Sequence, residues 1–361
     1  MAEPLEASKN TLAQPNIKQK ILNLSQSLGF SDCRIASATK LEEYNKHYSE
    51  FIAQNRHGEM TYLQKHAPLK TNPQLIQAGA KSIIMLSINY FQARRDLEKQ
   101  WQTQIHLPAH KEGQVARYAF GRDYHKVFKS KLKQLAKLLN QNFPDSQTRF
   151  FADSGPLLER QYAEFSGLGY IGKNCLLITR SHGSWVLLGE LITTLDIPAD
   201  QPFDRQSMQC GSCNRCQVAC PTGALDQDYK MDASKCISYL TIEHKGIIPE
   251  ELRPKIGNWI FGCDICQEIC PHNIRAKQTT LPDFSTAIAG NDLNLQEILE
   301  IPDEQAFLAR FAGSPLMRAK RTKLLRNACI VAANLKRRDL LPQIQKLCLD
   351  PDPIIAHHAR W

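Results

Sequence analysis

The chain has 361 residues, 42% of them hydrophobic, and a formal charge of +9. At roughly 150 residues per domain it has room for two or three domains with substantial cores. No apolar run approaches the ~18–20 residues that span a bilayer, and the opening MAEPLEASKNTLAQPN has neither a basic-then-apolar export pattern nor a twin arginine, so a cytoplasmic protein is expected.

Residues 1–15 read as a loose tail. From Ile17 the apolar positions Ile17, Ile21, Leu24 and Leu28 share one helical face, and Gly29 is a natural stop. Residues 30–36 suggest a short strand. A second helix is expected from about Thr39, with Leu41, Tyr44, Tyr48 and Phe51 as its core side. Lys70-Thr71-Asn72-Pro73 is a turn into a short helix. The run SIIMLSINY (82–90) is apolar and β-branched enough for a buried strand. Residues 92–113 read as a surface loop, and 127–139 as a third helix with a lysine-rich outer face. A strand over 148–152 ends in Asp153-Ser154-Gly155-Pro156, where Pro156 suits the first turn of a helix. Residues 176–179 and 184–194 predict a hairpin across Ser181-His182-Gly183. Strands alternating with helices over 17–195 give an α/β or α+β domain. The stretch 196–202 reads as a linker.

The next stretch holds eight of the twelve cysteines. Cys210, Cys213, Cys216 and Cys220-Pro221 follow C-x2-C-x2-C-x3-C-P, and Cys263, Cys266 and Cys270-Pro271 follow C-x2-C-x3-C-P. The first is the bacterial ferredoxin spacing, in which the fourth cysteine ligates the other cluster. Cys210, Cys213 and Cys216 then share one 4Fe-4S cluster with Cys270. Cys263 and Cys266 share the second with Cys220. Ile260 stands where that second run would need a cysteine, and Cys236 is the replacement. Zinc sites pair C-x2-C units without the C-x3-C-P tail. The remaining Cys33, Cys175, Cys329 and Cys348 read as buried free thiols.

Beyond Pro271 the pattern is helical. Residues 319–335 and 340–349 form a basic, amphipathic helical pair too small to stand alone as a solenoid, so it is expected to pack on the cluster domain. Arg318, Lys320, Arg321, Lys323 and Arg326 crowd into nine residues. Such a run is either a solvated face or a polyanion contact.

Chemistry outside the cysteines is sparser. Gly167-Leu168-Gly169-Tyr170-Ile171-Gly172 matches G-x-G-x-x-G, but it follows a helix, the wrong context for a dinucleotide. Asp153 ends an apolar strand, where a raised pKa would make it a general acid; the competing reading is a helix N-cap. His125, in a polar and aromatic run, is either a metal ligand or a hydrogen-bonded structural residue. Phe128 stands where the Asp-x-His cobalamin motif needs glycine, so that motif is absent.

Several stretches together resemble the epoxyqueuosine reductases of tRNA modification: ARYAFGRDYH (116–125), FADSGPLLER (151–160), GYIGKNCLLI (169–178), GSWVLLGE (183–190), the eight cysteines and CISYLTIEHKG (236–246). The family is related by fold to cobalamin-dependent reductive dehalogenases. The resemblance implies an α+β chain with a cobalamin-binding α/β domain (16–198), a two-cluster ferredoxin-like domain (199–285) and a short HEAT-like helical region (286–361). It implies reduction of epoxyqueuosine to queuosine at the wobble position of tRNAs with a GUN anticodon. Asp153 matches the family's proton donor. Lys70, Leu177, Leu188, Leu191, Ser238, Cys263 and Asp264 match positions near the cobalamin, and Ala116 stands where some members have cysteine. Lys245 is a candidate tRNA contact beside the basic run Arg318–Arg326.

In that reading an external donor feeds the clusters, the clusters feed cobalamin, and Asp153 protonates the opening epoxide oxygen. Nothing in the chain demands more than a monomer. Two other readings compete: a reductive dehalogenase-like enzyme, and an electron-transfer or tRNA-binding module without catalysis.

Overall fold

The structure, a computed structural model, describes residues 14–93, 112–153 and 155–361. Most of the expected 92–113 loop and of the expected N-terminal tail lies outside them. The centre of the N-terminal half is an antiparallel sheet of order β1-β2-β7-β4, where β1 is Asp32–Ser37, β2 Ser82–Asn89, β4 Thr148–Phe151 and β7 Val186–Thr193. Every residue of β2 is buried, as its apolar run requires. Because side chains alternate across a strand, the sheet has two cores. On one face Ile35, Ile84, Leu86 and Leu191 pack against α1 (Gln14–Ser27) and α3 (Tyr124–Asn142) through Ile17, Ile21, Phe128, Leu132 and Leu135. On the other, Ala36, Ile83, Met85, Leu188 and Ile192 meet Leu157, Leu177 and α4 (Glu159–Phe165).

Four expectations change here. α2 spans Glu42–Ala53 and buries no residue at all, although its Tyr44, Tyr48 and Phe51 read as a core face. The predicted hairpin is absent: β6 (Leu177–Ile178) pairs with β5 (Tyr170–Ile171), while β7 joins the large sheet, and only a Thr179–Gly183 bridge links the two runs. Pro156 does not open α4, which starts at Glu159. Lys70 holds the intervening turn instead, donating to the Gly155 and Leu157 carbonyls at 3.4 and 3.5 Å and accepting the Leu158 N–H at 2.9 Å. The 196–202 stretch is also no free tether. Ile197 N–H donates to Ser82 Oγ at 2.9 Å, and Ile35 N–H donates to Asp200 at 2.8 Å.

A second sheet knits the chain end to end. β3 (Gly113–Val115) lies between β8 (Trp259–Phe261), parallel to it, and β9 (Asp292–Leu293), antiparallel. Val115 and Phe261 join one core with Leu295, Phe307 and the helix α10 (Lys320–Asn334), so the C-terminal helices share a core with the cluster region. The buried Arg117 guanidinium fastens the same junction, pairing with Asp264 at 3.2 Å and Glu268 at 2.5 Å and lying over the Trp185 ring. Among the described residues no helix is long and apolar enough to cross a membrane.

Candidate active site

The cysteines converge from both runs. Cys210, Cys213, Cys216 and Cys270 line one small cavity with Lys173, Asn174 and His272, so the fold brings Cys270 of the second run beside the first. Cys210 Sγ accepts the Lys173 N–H at 3.4 Å and lies 3.9 Å from the Tyr170 hydroxyl. The second set is a separate neighbourhood. Burial raises the Cys263 and Cys266 thiols well above their usual range, and the neighbouring Cys236 adds to it in both. Cys236 is raised by burial and by Cys220, while the Ser238 and Tyr239 amides at the start of the helix 237–242 pull it back. Cys266 also feels Cys216, which puts the two sets side by side. Of the four other thiols, Cys33 and Cys329 are buried; Cys175 and Cys348 are only half-buried.

Asp153 sits at φ 58°, in the left-handed region where a non-glycine residue is strained. It caps no helix. Its side chain, 48% exposed, accepts from the Tyr124 hydroxyl and lies 3.4 Å from His125 Nε2. His125 Nδ1 is 3.0 Å from Asp123, whose carboxylate also caps α3 by accepting the His125 N–H at 3.0 Å. The imidazole stacks on Tyr124 with centroids 4.1 Å apart. These contacts reverse the sequence expectation of a raised carboxyl. Desolvation pushes Asp153 up, but the hydrogen bonds from His125 and Tyr124 and the charges of His125 and Arg318 more than offset it, and it ends below the usual range. His125 goes the other way, raised to about 9 by its bonds to Asp123 and Asp153. At neutral pH the proton rests on the imidazole, against the carboxylate. His125 is therefore neither of its two sequence readings alone, since it is a charged partner of the acid.

Beneath this turn lies a group that sequence reasoning missed. Glu190, from β7, is 1% exposed, and its Oε2 has no hydrogen-bond partner among the described residues. Burial, then the nearby Glu159, raise it well above the carboxylate range, which keeps it protonated. Glu159 is raised to about 7, first by desolvation and then by Asp153. A Cβ on Gly155 would stand 2.7 Å from Glu190 Oε1, so only glycine lets the turn close over this carboxyl. The signal was a glutamate inside an apolar strand, at Glu190.

A cavity of about 500 Å³ opens between α2, α4 and the 228–231 segment that follows the first cysteine run. Tyr44, Tyr48 and Phe51, the supposed core face of α2, line it with Leu158, Arg160, Cys175 and Tyr229. Lys70 joins cavity to acid: its carbonyl takes the Leu158 N–H of the cavity wall, and its ammonium holds the turn after Asp153.

The other predicted positions divide. Leu177 and Leu188 share one core, but Leu191, three residues on along β7, faces the opposite side under α3 and shares no surface with Leu188. Ala116 is buried, and Gly262, at φ 71°, brings its backbone so close that a Cβ would sit 2.5 Å from the alanine's own. Asp264 is fully buried and committed to Arg117, accepting its N–H at 2.8 Å. Ser238 is half-buried, with its amide toward Cys236.

The basic run also divides, because α10 is buried around most of its girth. Arg326 is 0% exposed and donates to the carbonyls of Leu240, His244 and Gly246, so it reaches no external partner. Arg321 is tied to Asp350 at 2.7 Å and the Ile301 carbonyl at 3.0 Å. Lys323 donates to the Ile242 carbonyl, and burial lowers it to about 8. Lys245, Arg318 and Lys320 are exposed.

These features define an iron–sulfur redox protein. Residues 209–273 match the family described as 4Fe-4S double cluster binding domain, so the chain carries two such clusters. Residues 70–154 match epoxyqueuosine reductase QueG, DUF1730. An epoxyqueuosine reductase of Xanthomonas campestris is 37% identical over 345 residues, covering 95% of this chain and 94% of that protein. That of Escherichia coli is 36% identical, covering 100% and 90%. The solved epoxyqueuosine reductase of Streptococcus thermophilus superposes with a TM-score of 0.82 at 31% identity, over 96% of this chain and 89% of that one. An epoxyqueuosine reductase solved with a tRNA-Tyr epoxyqueuosine-modified tRNA stem loop gives 0.84 at 29%, with the same coverage. The chain belongs to the epoxyqueuosine reductase family and is an oxidoreductase.

Proposed function

We propose that this protein reduces the epoxide of epoxyqueuosine to queuosine at the wobble position of GUN-anticodon tRNA, the last step of queuosine formation, as a cytoplasmic monomer. The observation that carries this reading is the strained Asp153, bonded to a charged His125, on a turn that Lys70 ties to the wall of a large cavity. The relative solved with an epoxyqueuosine-modified stem loop supports the same substrate.

The reaction takes up two electrons and two protons. Two C–O bonds break, a C=C bond forms, and the oxygen leaves as water. Cluster one is assigned to Cys210, Cys213, Cys216 and Cys270, and cluster two to Cys220, Cys236, Cys263 and Cys266. When bound there, the clusters would relay electrons one at a time from an external donor. Cobalamin, when bound, supplies low-valent cobalt as the reductant of the epoxide carbon. The cavity fits such a cofactor in kind, with tyrosine and phenylalanine rings for an apolar macrocycle and Arg56, Arg160, Arg205 and Lys230 for its amides and phosphate. The family resemblance adds Lys70, Leu177, Leu188, Ala116 and Cys263 as cofactor positions; of these, Lys70 is tied to the cavity wall through the Leu158 N–H that its carbonyl accepts.

The side chains then manage protons. The His125–Asp153 pair, 3.4 Å apart, shares one proton and releases it to the opening oxygen through Asp153, so no free alkoxide forms. Asp123 fixes the imidazole, as a carboxylate orients a catalytic histidine. Tyr124 fixes the other side of the carboxylate. Protonated Glu190 keeps a second negative charge out of the floor, which would otherwise oppose electron delivery nearby.

The test is anaerobic incubation of reconstituted protein, cobalamin and a low-potential reductant with epoxyqueuosine-containing tRNA, read by nucleoside mass spectrometry. Queuosine should appear with wild type and not with Asp153→Asn. Absence of queuosine with clusters and cobalamin both bound would overturn the assignment.

A further inference from the structure

Gly313–Arg318 belongs in sequence to the C-terminal helices, yet it borders the Asp153 pocket. The Gly313 carbonyl accepts the Asp123 N–H at 2.7 Å, and Asp123 is the residue that orients His125. From there the chain enters a 3-10 turn, Pro315–Ala319, capped by Ser314 Oγ accepting the Leu316 N–H at 3.0 Å. Met317 and Tyr118 pack against the same core, and Tyr118 meets Tyr124 edge-on at 5.9 Å. Arg318 emerges from this turn 47% exposed, with Nε donating to Glu243 Oε1 at 2.6 Å. Among the described residues that is its only hydrogen bond, so both terminal nitrogens keep their donors. Tyr62, 43% exposed, is close enough to feel the charges of Glu243, Arg318 and Asp153.

An exposed ion pair of this kind contributes little to stability. Its position also has a cost for the reaction. A second cation beside Asp153, after His125, makes the carboxyl harder to protonate. That cost disappears if an anion sits on Arg318 while the substrate is bound. A guanidinium oriented along one edge, with its terminal donors open, suits a phosphate oxygen pair.

We propose that Arg318, oriented by Glu243, binds a backbone phosphate next to the wobble nucleoside and so makes the enzyme select tRNA over free nucleoside. This rests on the function proposed above. It replaces a diffuse basic helix face by one contact at the reacting nucleotide, made by the C-terminal segment.

The experiment measures binding of a fluorescent anticodon stem-loop carrying epoxyqueuosine by anisotropy, across a salt series, with melting curves to show folding. Arg318→Gln should weaken binding about tenfold or more and flatten the log–log salt slope by about one. Arg318→Lys should keep the slope and lose part of the affinity, since charge remains but the fork does not. A stem-loop with a single uncharged methylphosphonate beside the wobble nucleoside should bind wild type weakly and respond no further to Arg318→Gln. Equal affinity and slope in folded Arg318→Gln would overturn the inference. So would a loss that persists unchanged on the methylphosphonate, which would mark a phosphate elsewhere. A wild-type protein that binds no stem-loop at all would overturn the function reading itself.

Discussion

The cluster region and the Asp153 pocket are built by opposite strategies. Cys210, Cys213 and Cys216 come from one short stretch of chain that ends in the helix 215–219, and Cys270 joins them from the second run. The acid pocket draws its groups from strand ends, a helix cap and the C-terminal segment: Asp153, then Tyr124 and His125 at the start of α3, then Arg318. A local ligand set is written in spacing. A site assembled from remote segments is held by the fold's packing. It can therefore be tuned by groups that no motif names.

The two regions should break differently. The largest effect is expected at the clusters. Cys236→Ser should cut iron and acid-labile sulfide to roughly half and abolish turnover, because a cluster assembles or does not; full iron content would refute the assignment. In the pocket, Asp153→Asn should lower single-turnover reduction by about 100-fold or more while leaving cluster spectra untouched. Third comes the joint between the regions. Arg326→Met leaves one buried and two half-buried carbonyls without their donor and should cost about 3 kcal/mol in unfolding, whereas Lys320→Ala, exposed nearby, should change stability by less than about 0.5 kcal/mol. Chemical denaturation of the pair checks both.

The smallest effect is a pH signature. His125 is raised in the folded state from 6.5 to about 9, so its imidazolium stabilises the fold fully below pH 6.5 and that contribution is lost as pH rises through about 9. Wild type should lose stability relative to His125→Asn across that window, and its single-turnover rate should hold to about pH 9 and then fall. A wild-type curve parallel to that of His125→Asn would mean that the imidazole is neutral.

The contrast also explains what the amino-acid order disclosed. The eight thiols, the buried β2 and α3 were legible because their signals are local: spacing, β-branched density and a 3.6 period. Asp153 was legible as a residue but not as an environment, since the groups that lower it, Tyr124, His125 and Arg318, are all remote from it in sequence. The α2 face misled for a related reason. Tyr44, Tyr48 and Phe51 have the periodicity of a core stripe, and periodicity does not say whether protein or a cavity lies opposite. The basic run misled in the converse way. Its cations read as a solvated face or a tRNA contact, while Arg326 and Lys323 turn inward to satisfy carbonyls in and just beyond the helix 237–242.

That last arrangement bears on how the protein withstands air. Cys236 opens the short helix 237–242, and the carbonyls at its far end, Leu240 and Thr241, are gripped by Arg326 and Asn327 of α10. The C-terminal helices thus brace, from behind, the thiol proposed to close cluster two. Loosening that brace would let the helix breathe and admit dioxygen to the iron. Damage to α10, which contributes none of the eight cysteines assigned to the clusters, should then show first as faster bleaching of the brown colour on the bench, before any loss of folded protein.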